Sequence, residues 1–176
     1  MISTFENCRK LTSLNLSHFI TNQVTDMSSM FNNCSSLEYL EENFNTEKVT
    51  TMNSMFSNCN RLTSLQLIHF NTSMVTDMSS MFNNMYSLEN LDITFNTSRV
   101  KDMHQMFSNC TRLTSLNIST FNTSSCTNFI DMFKDDELDL YVDKNLCPNL
   151  IDKLPDDVHY HDIHENDSLI NDNLFY

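Results

Sequence analysis

Apolar residues along this chain fall into two alternating patterns. The first is L-x-x-L-x-L, at Leu11/Leu14/Leu16, Leu62/Leu65/Leu67, Leu88/Leu91/Ile93 and Leu113/Leu116/Ile118. Its second half alternates with period two, as a short half-buried strand does. The second pattern, Val24, Met27, Met30 and Phe31, steps by three and four and predicts one face of a short helix. Asp26, Thr51, Asp77, Asp102 and Asn128 stand just before Met27 and its counterparts in the later copies, and all are helix N-cap types. Asn7, Asn33, Asn58, Asn84 and Asn109 each stand two residues after a Phe, where a left-handed C-terminal cap is expected.

The two patterns recur together. Phe5, Phe31, Phe56, Phe82, Phe107 and Phe133 are separated by 26, 25, 26, 25 and 26 residues. The decapeptide VTDMSSMFNN occurs at Val24–Asn33 and, unchanged, at Val75–Asn84, so the copied block is one long coil plus one short coil. Long coils read KLTSLNLSHF, RLTSLQLIHF and RLTSLNISTF; short ones read SLEYLEENF and SLENLDITF. The expectation is an α/β solenoid of about five 25/26-residue coils, a leucine-rich-repeat-like stack. One parallel sheet of strands ~4.8 Å apart would form one face, with short helices on the opposite face. A second column, Phe19/Phe44/Phe70/Phe95/Phe121, joins the first as the expected source of stability, each buried Phe contributing roughly 1.5–3 kcal/mol.

The coil FNTSMVTDMSSMFNNMYSLENLDITF resembles the BspA-type leucine-rich repeat of bacterial surface proteins, mycoplasma lipoproteins and many protist and large-virus proteins. The resemblance spans about residues 5–133 and rests on F-N-T-S-x-V-T-D-M-S-S-M-F, with asparagine where the family often has glycine before the column cysteine. It implies a solenoid, and by analogy with members on cell surfaces an adhesion-like binding role.

Composition narrows the chemistry. The chain has no glycine and 24 asparagines. Phosphate-cradling loops, dinucleotide-binding turns and nucleophile elbows all need glycine, so those classes are excluded. The net charge of −13 and the lack of a basic cluster argue against nucleic acid as a partner. No apolar run reaches the ~20 residues of a membrane span, so no membrane insertion is expected. MISTFENCRKLTSL carries no signal-peptide core. Cytosolic residence is therefore the expectation, unless the N-terminus is incomplete.

Cys8, Cys34, Cys59 and Cys110 share one column, with Met85 in the remaining slot and Cys126 in a column of valines. They read as buried free thiols serving as small apolar residues. No nucleophile–base arrangement stands out, so no enzyme and no cofactor are expected. His159, His161 and His164 form the only dense set of metal-ligand types, although H-x-H-x-x-H also reads as a solvated acidic stretch; no metal site is assigned. The asparagine of F-N-T-S is expected to bond neighbouring backbone within its turn.

Glu42 falls in the inward column of Leu16, Leu67, Ile93 and Ile118, where a charge is costly. The expectation is that the short coil is displaced there and Glu42 reaches solvent. Outward strand positions form the exposed sheet face, the usual binding surface of a solenoid. Tyr39, Glu41, Gln66, Ile68 and Asp92 are its distinctive residues and the candidate partner-binding set.

Residues 1–133 are thus read as the solenoid, after which the register is expected to fail. Residues 134–155 are read as a C-terminal cap, in which Leu138, Leu140 and Val142 alternate like a last strand. Residues 156–176 are read as an acidic tail, with loose chain expected. The functional expectation is a non-catalytic module binding a protein partner. The alternatives are a fragment of a longer surface protein that self-associates end to end through its open first coil, and a metal-binding protein using the three histidines.

Overall fold

In the computed structural model, which describes residues 1–165, the chain winds into a parallel β-solenoid of about six turns with almost no helix. One strand marks each turn: β1 (Ser13–Leu16), β2 (Tyr39–Glu42), β3 (Ser64–Gln66), β4 (Asn90–Asp92), β5 (Ser115–Asn117) and β6 (Leu138–Val142). A short helix, α1 (Pro148–Ile151), and a seventh strand, β7 (Val158–Asp162), follow. Inward residues of each coil merge into one continuous core running from Leu16 to Val158.

The helices expected opposite the sheet are not there, and this corrects the α/β reading. Asp26, Thr51, Asp77, Asp102 and Asn128 form parallel bridges from coil to coil instead of capping helices. Beyond each bridge, alternate N–H groups donate to the next coil, as in Ser29 to Asn53 at 2.9 Å and Phe31 to Met55 at 2.9 Å. Two columns of left-handed residues make this possible. One is Ser29, Ser54, Ser80 and Gln105 at φ 53–55°, and the other is Asn33, Asn58, Asn84 and Asn109 at φ 59–63°. The asparagine column is where the sequence places it. Packed helices stand ~8–10 Å apart, so one per coil against strands ~4.8 Å apart would force the stack to curve. Consecutive tight turns fit the strand spacing, and hand their freed amides to the neighbouring coil.

Stacking converts side chains into ladders. Rings of the first Phe column lie nearly parallel, with centroids 5.6 Å apart for Phe5–Phe31, 5.4 Å for Phe31–Phe56 and 5.9 Å for Phe56–Phe82. The second column is looser: Phe44–Phe70 and Phe95–Phe121 pair at 6.4 Å, and Phe19 is 42% exposed. Buried Thr21, Thr46, Thr72 and Thr97 each donate a hydroxyl to an asparagine carbonyl one coil on, at 2.9–3.0 Å. Asn71, Asn96 and Asn122 accept the amide two residues ahead, the expected turn contact.

All six cysteines are free, and Cys34, Cys59 and Cys110 are fully buried. Each of these three thiols donates to a Phe carbonyl of an earlier coil, at 3.0–3.2 Å. Burial pushes the Cys34 thiol up to about 11, and Cys59 and Cys110 higher still.

The register does not fail after Phe133. Asp135 (φ 61°) takes the asparagine position and Asp136 takes the column of Cys110, so the turn continues into β6. Asp136 is 3% exposed, and neither carboxylate oxygen has a partner. Leu150, Ile151 and Leu154 pack on the core beyond it. The expected loose chain from 156 is corrected by β7, which pairs with β6 from Leu138↔Val158 to Val142↔Asp162. The rest of that tail, 166–176, lies outside the described residues.

Candidate functional site

The strand face is not one sheet. Pairing joins β1 to β2, β3 to β4, and β5 to β6 to β7, and lapses between β2 and β3 and between β4 and β5. The lapses follow coil length. Long coils turn their corner through Leu16–Phe19, Leu67–Phe70 and Ile118–Phe121, each closed by a Phe amide donating back three residues at 2.8–3.1 Å. Short coils, with Glu42-Asn43-Phe44 and Ile93-Thr94-Phe95, have one residue fewer there. A long coil pairs with the short coil after it, and a short coil does not pair with the long coil that follows.

At the first lapse a cleft of about 430 Å³ opens on the strand face. Tyr39, Glu41, Gln66 and Ile68 line it, so four of the five sequence-derived residues converge there. Tyr39 and Ile68 are 57% and 60% exposed. Glu41 is held by the Asn15 amide at 2.6 Å and lies 3.5 Å from the Tyr39 hydroxyl. Asp92 is not in the cleft; it sits one strand away on β4, in register with Gln66.

Three titratable lining residues were not in that set: Glu38, Glu42 and His69. Glu42 does not escape to solvent as expected, for its side chain is 7% exposed. The carboxylate accepts the Phe44 amide at 3.1 Å and lies 3.0 Å from His69 Nε2. An inward charge is tolerated because its oxygens are met by a local amide and a neighbouring imidazole. The sequence signal was present in the Glu42 misfit. His69, the penultimate letter of RLTSLQLIHF, carried none on its own. Glu38 pairs with Arg61 at 2.8 Å on the rim. Among the described lining residues His69 is the only basic type, against three carboxylates.

The candidate histidines do not converge. His161 Nε2 lies 3.1 Å from Asp139, His164 Nε2 lies 3.3 Å from Asp143, and His159 is exposed on β7. The ligand atoms that do gather, within 4.8 Å of one another, belong to Asp143, Asp162 and His164. Two carboxylates and an imidazole suit a hard or borderline divalent cation. Lys144, 3.9 Å from Asp162 and 2.7 Å from Glu165, competes for the same charge.

A family model described as "Mycoplasma protein of unknown function, DUF285" matches residues 1–115 and again 60–138. The chain belongs to this family. The DUF285 match covers the turn-and-strand coils, including both strands that border the cleft. No curated protein and no solved structure matches the chain. Among the described residues of this DUF285 member, no helix is long and apolar enough to cross a membrane.

Proposed function

We propose that this chain is a non-catalytic interaction module that binds a protein partner through its strand face. The observation that supports this best is the β2/β3 cleft, where exposed Tyr39 and Ile68 flank oriented Glu41 and Gln66. Aromatic and large apolar side chains held at a concave polar site are what interaction hot spots use. The non-catalytic part of the reading rests on thiols that are buried and pushed up, the reverse of a reactive cysteine. The BspA-type resemblance, with its adhesion-like role, belongs to this same proposal.

The test is capture from source or host-cell lysate by the wild-type chain and by a Tyr39/Gln66/Ile68/Asp92 alanine variant shown to fold by circular dichroism. A partner retained by wild type and lost by the variant supports the reading, and equal recovery counts against it.

A second reading, a self-associating piece of a longer surface protein, is favoured by the first coil. Phe5 and Leu11 there are only partly buried, unlike their counterparts in the middle coils. Sedimentation decides it: mass rising with concentration supports association, and a constant monomer counts against it.

A further inference from the structure

The cleft is bounded by two strand edges, and its ligand class follows from that. In a parallel ladder each strand directs alternate backbone N–H and C=O groups to one neighbour and the remainder to the other. β2 spends one set on β1, and β3 spends one set on β4. The remaining sets of both strands face each other across the lapse. Neither edge is blunted in the usual way, because β2 reads YLEE and β3 reads SLQ, without Lys or Pro.

Charge selects the occupant further. Glu38, Glu41 and Glu42 line the cleft, in a chain of net charge −13. Phosphate-bearing ligands are disfavoured there, and Lys or Arg side chains are favoured. The second lapse, between β4 and β5, has Ile93 where the first has Glu42, so the two are chemically distinct.

We propose that the β2/β3 lapse is a strand-accepting slot, filled by an extended segment of a partner polypeptide with basic side chains at alternate positions. This rests on the interaction-module reading and names its ligand. The inserted strand bonds both edges, the Glu42–His69 contact across the lapse parts to admit it, and β2 and β3 then stand two strand spacings, ~9.6 Å, apart. Its alternate residues project outward toward Glu38 and Glu41, and Tyr39 and Ile68 cover its flanks.

Calorimetric titration at low ionic strength with three synthetic nonapeptides tests this. One alternates Lys and Val, one alternates Glu and Val, and one is the Lys–Val peptide N-methylated at alternate residues, which keeps charge and deletes backbone donors. The Lys–Val peptide is expected to bind one to one and to slow amide exchange in both β2 and β3. N-methylation, or a Glu38→Gln/Glu41→Gln variant, is expected to weaken it at least about tenfold. Both replaced side chains are on the surface, and circular dichroism confirms that the variant folds. Absence of Lys–Val binding overturns the slot, as does equal binding of the N-methylated or Glu–Val peptide. If the peptides fail while capture still depends on Tyr39 and Ile68, the slot falls and the interaction module stands. Equal capture by wild type and face variant is the separate failure of the module itself.

Discussion

Glu42 and His69 meet at 3.0 Å across the break between β2 and β3, with the carboxylate almost fully buried and the imidazole 41% exposed. A single buried carboxylate in an apolar column is costly even when partnered, and apolar replacements of such groups are often neutral or stabilising. Glu42→Ile copies the second block, where Ile93 fills the equivalent place. Urea unfolding is expected to show unchanged stability or a gain of up to ~2 kcal/mol. Glu42→Ala loses the same acceptor of the Phe44 amide as Glu42→Ile but also leaves a void, and is expected to cost ~1–3 kcal/mol. The reverse ranking would contradict this account of the site.

The two phenylalanine columns are not equivalent. Phe56 is fully buried between Phe31 and Phe82, whereas Phe19 is 42% exposed. Phe56→Ala is expected to cost ~3–5 kcal/mol in denaturant melts. Phe19→Ala is expected to cost ~1 kcal/mol, in proportion to the smaller area it withdraws from water.

A chain without glycine holds twelve described residues at positive φ. Ser54, at φ 55°, is one of them, and glycine there relieves the steric cost of a Cβ in left-handed backbone. Ser54→Gly is expected to be neutral or to raise stability by up to ~1 kcal/mol, against the gain in unfolded-chain entropy that works the other way. Ser54→Val is expected to destabilise by ~1–3 kcal/mol, since a β-branched residue is poorly accommodated there. Thermal melts of the two variants distinguish a turn from the helix first expected, which would penalise glycine.

Asp136 makes stability fall as pH rises. Burial raises its carboxyl from 3.8 to about 7, the neighbouring Cys110 backbone opposing this only in part. The folded chain holds this proton to about pH 7, while the unfolded chain releases it near pH 4, so the folded state binds more protons between those values. Stability contributed by the protonated form is therefore present in acid and lost as pH rises through that window, by roughly 2–4 kcal/mol. Asp136→Asn is expected to flatten this dependence and Asp136→Cys, matching Cys110, to stabilise the chain at pH 8. Urea midpoints measured from pH 4 to 8 check both; an unchanged slope in Asp136→Asn would place the effect elsewhere.

Much of this architecture is legible from periodicity, because stacking aligns like with like. Leu14, Leu40, Leu65, Leu91 and Leu116 mark the strands, and Asn58 marks a left-handed turn, from letters alone. The helix reading failed at Met27, Met30 and Phe31 because spacing by three and four also fits successive tight turns. Only the coil spacing separates the two, and it is a tertiary quantity. Thr72 and Thr97 gave no signal, since a hydroxyl that bonds a carbonyl one coil away is indistinguishable in sequence from a surface threonine. Asp136 was lost among the tail acids, though counting three residues on from Phe133 places it after Cys110. Four cleft residues were found as outward letters on middle coils, but the cleft itself arises from a break in pairing that no residue type announces.

The alternation of long and short corners gives the molecule a bound spine and loose leaves. Its turn side is stitched without interruption from Asp26 to Asn128, while its strand side opens once in every block of two coils. Lengthening such a protein by whole blocks would add openings at a fixed pitch of ~10 Å, each with its own lining letters. If the proposed slot takes a ligand, duplication would multiply docking points as well as core, and two weak grips on one partner would become a strong one.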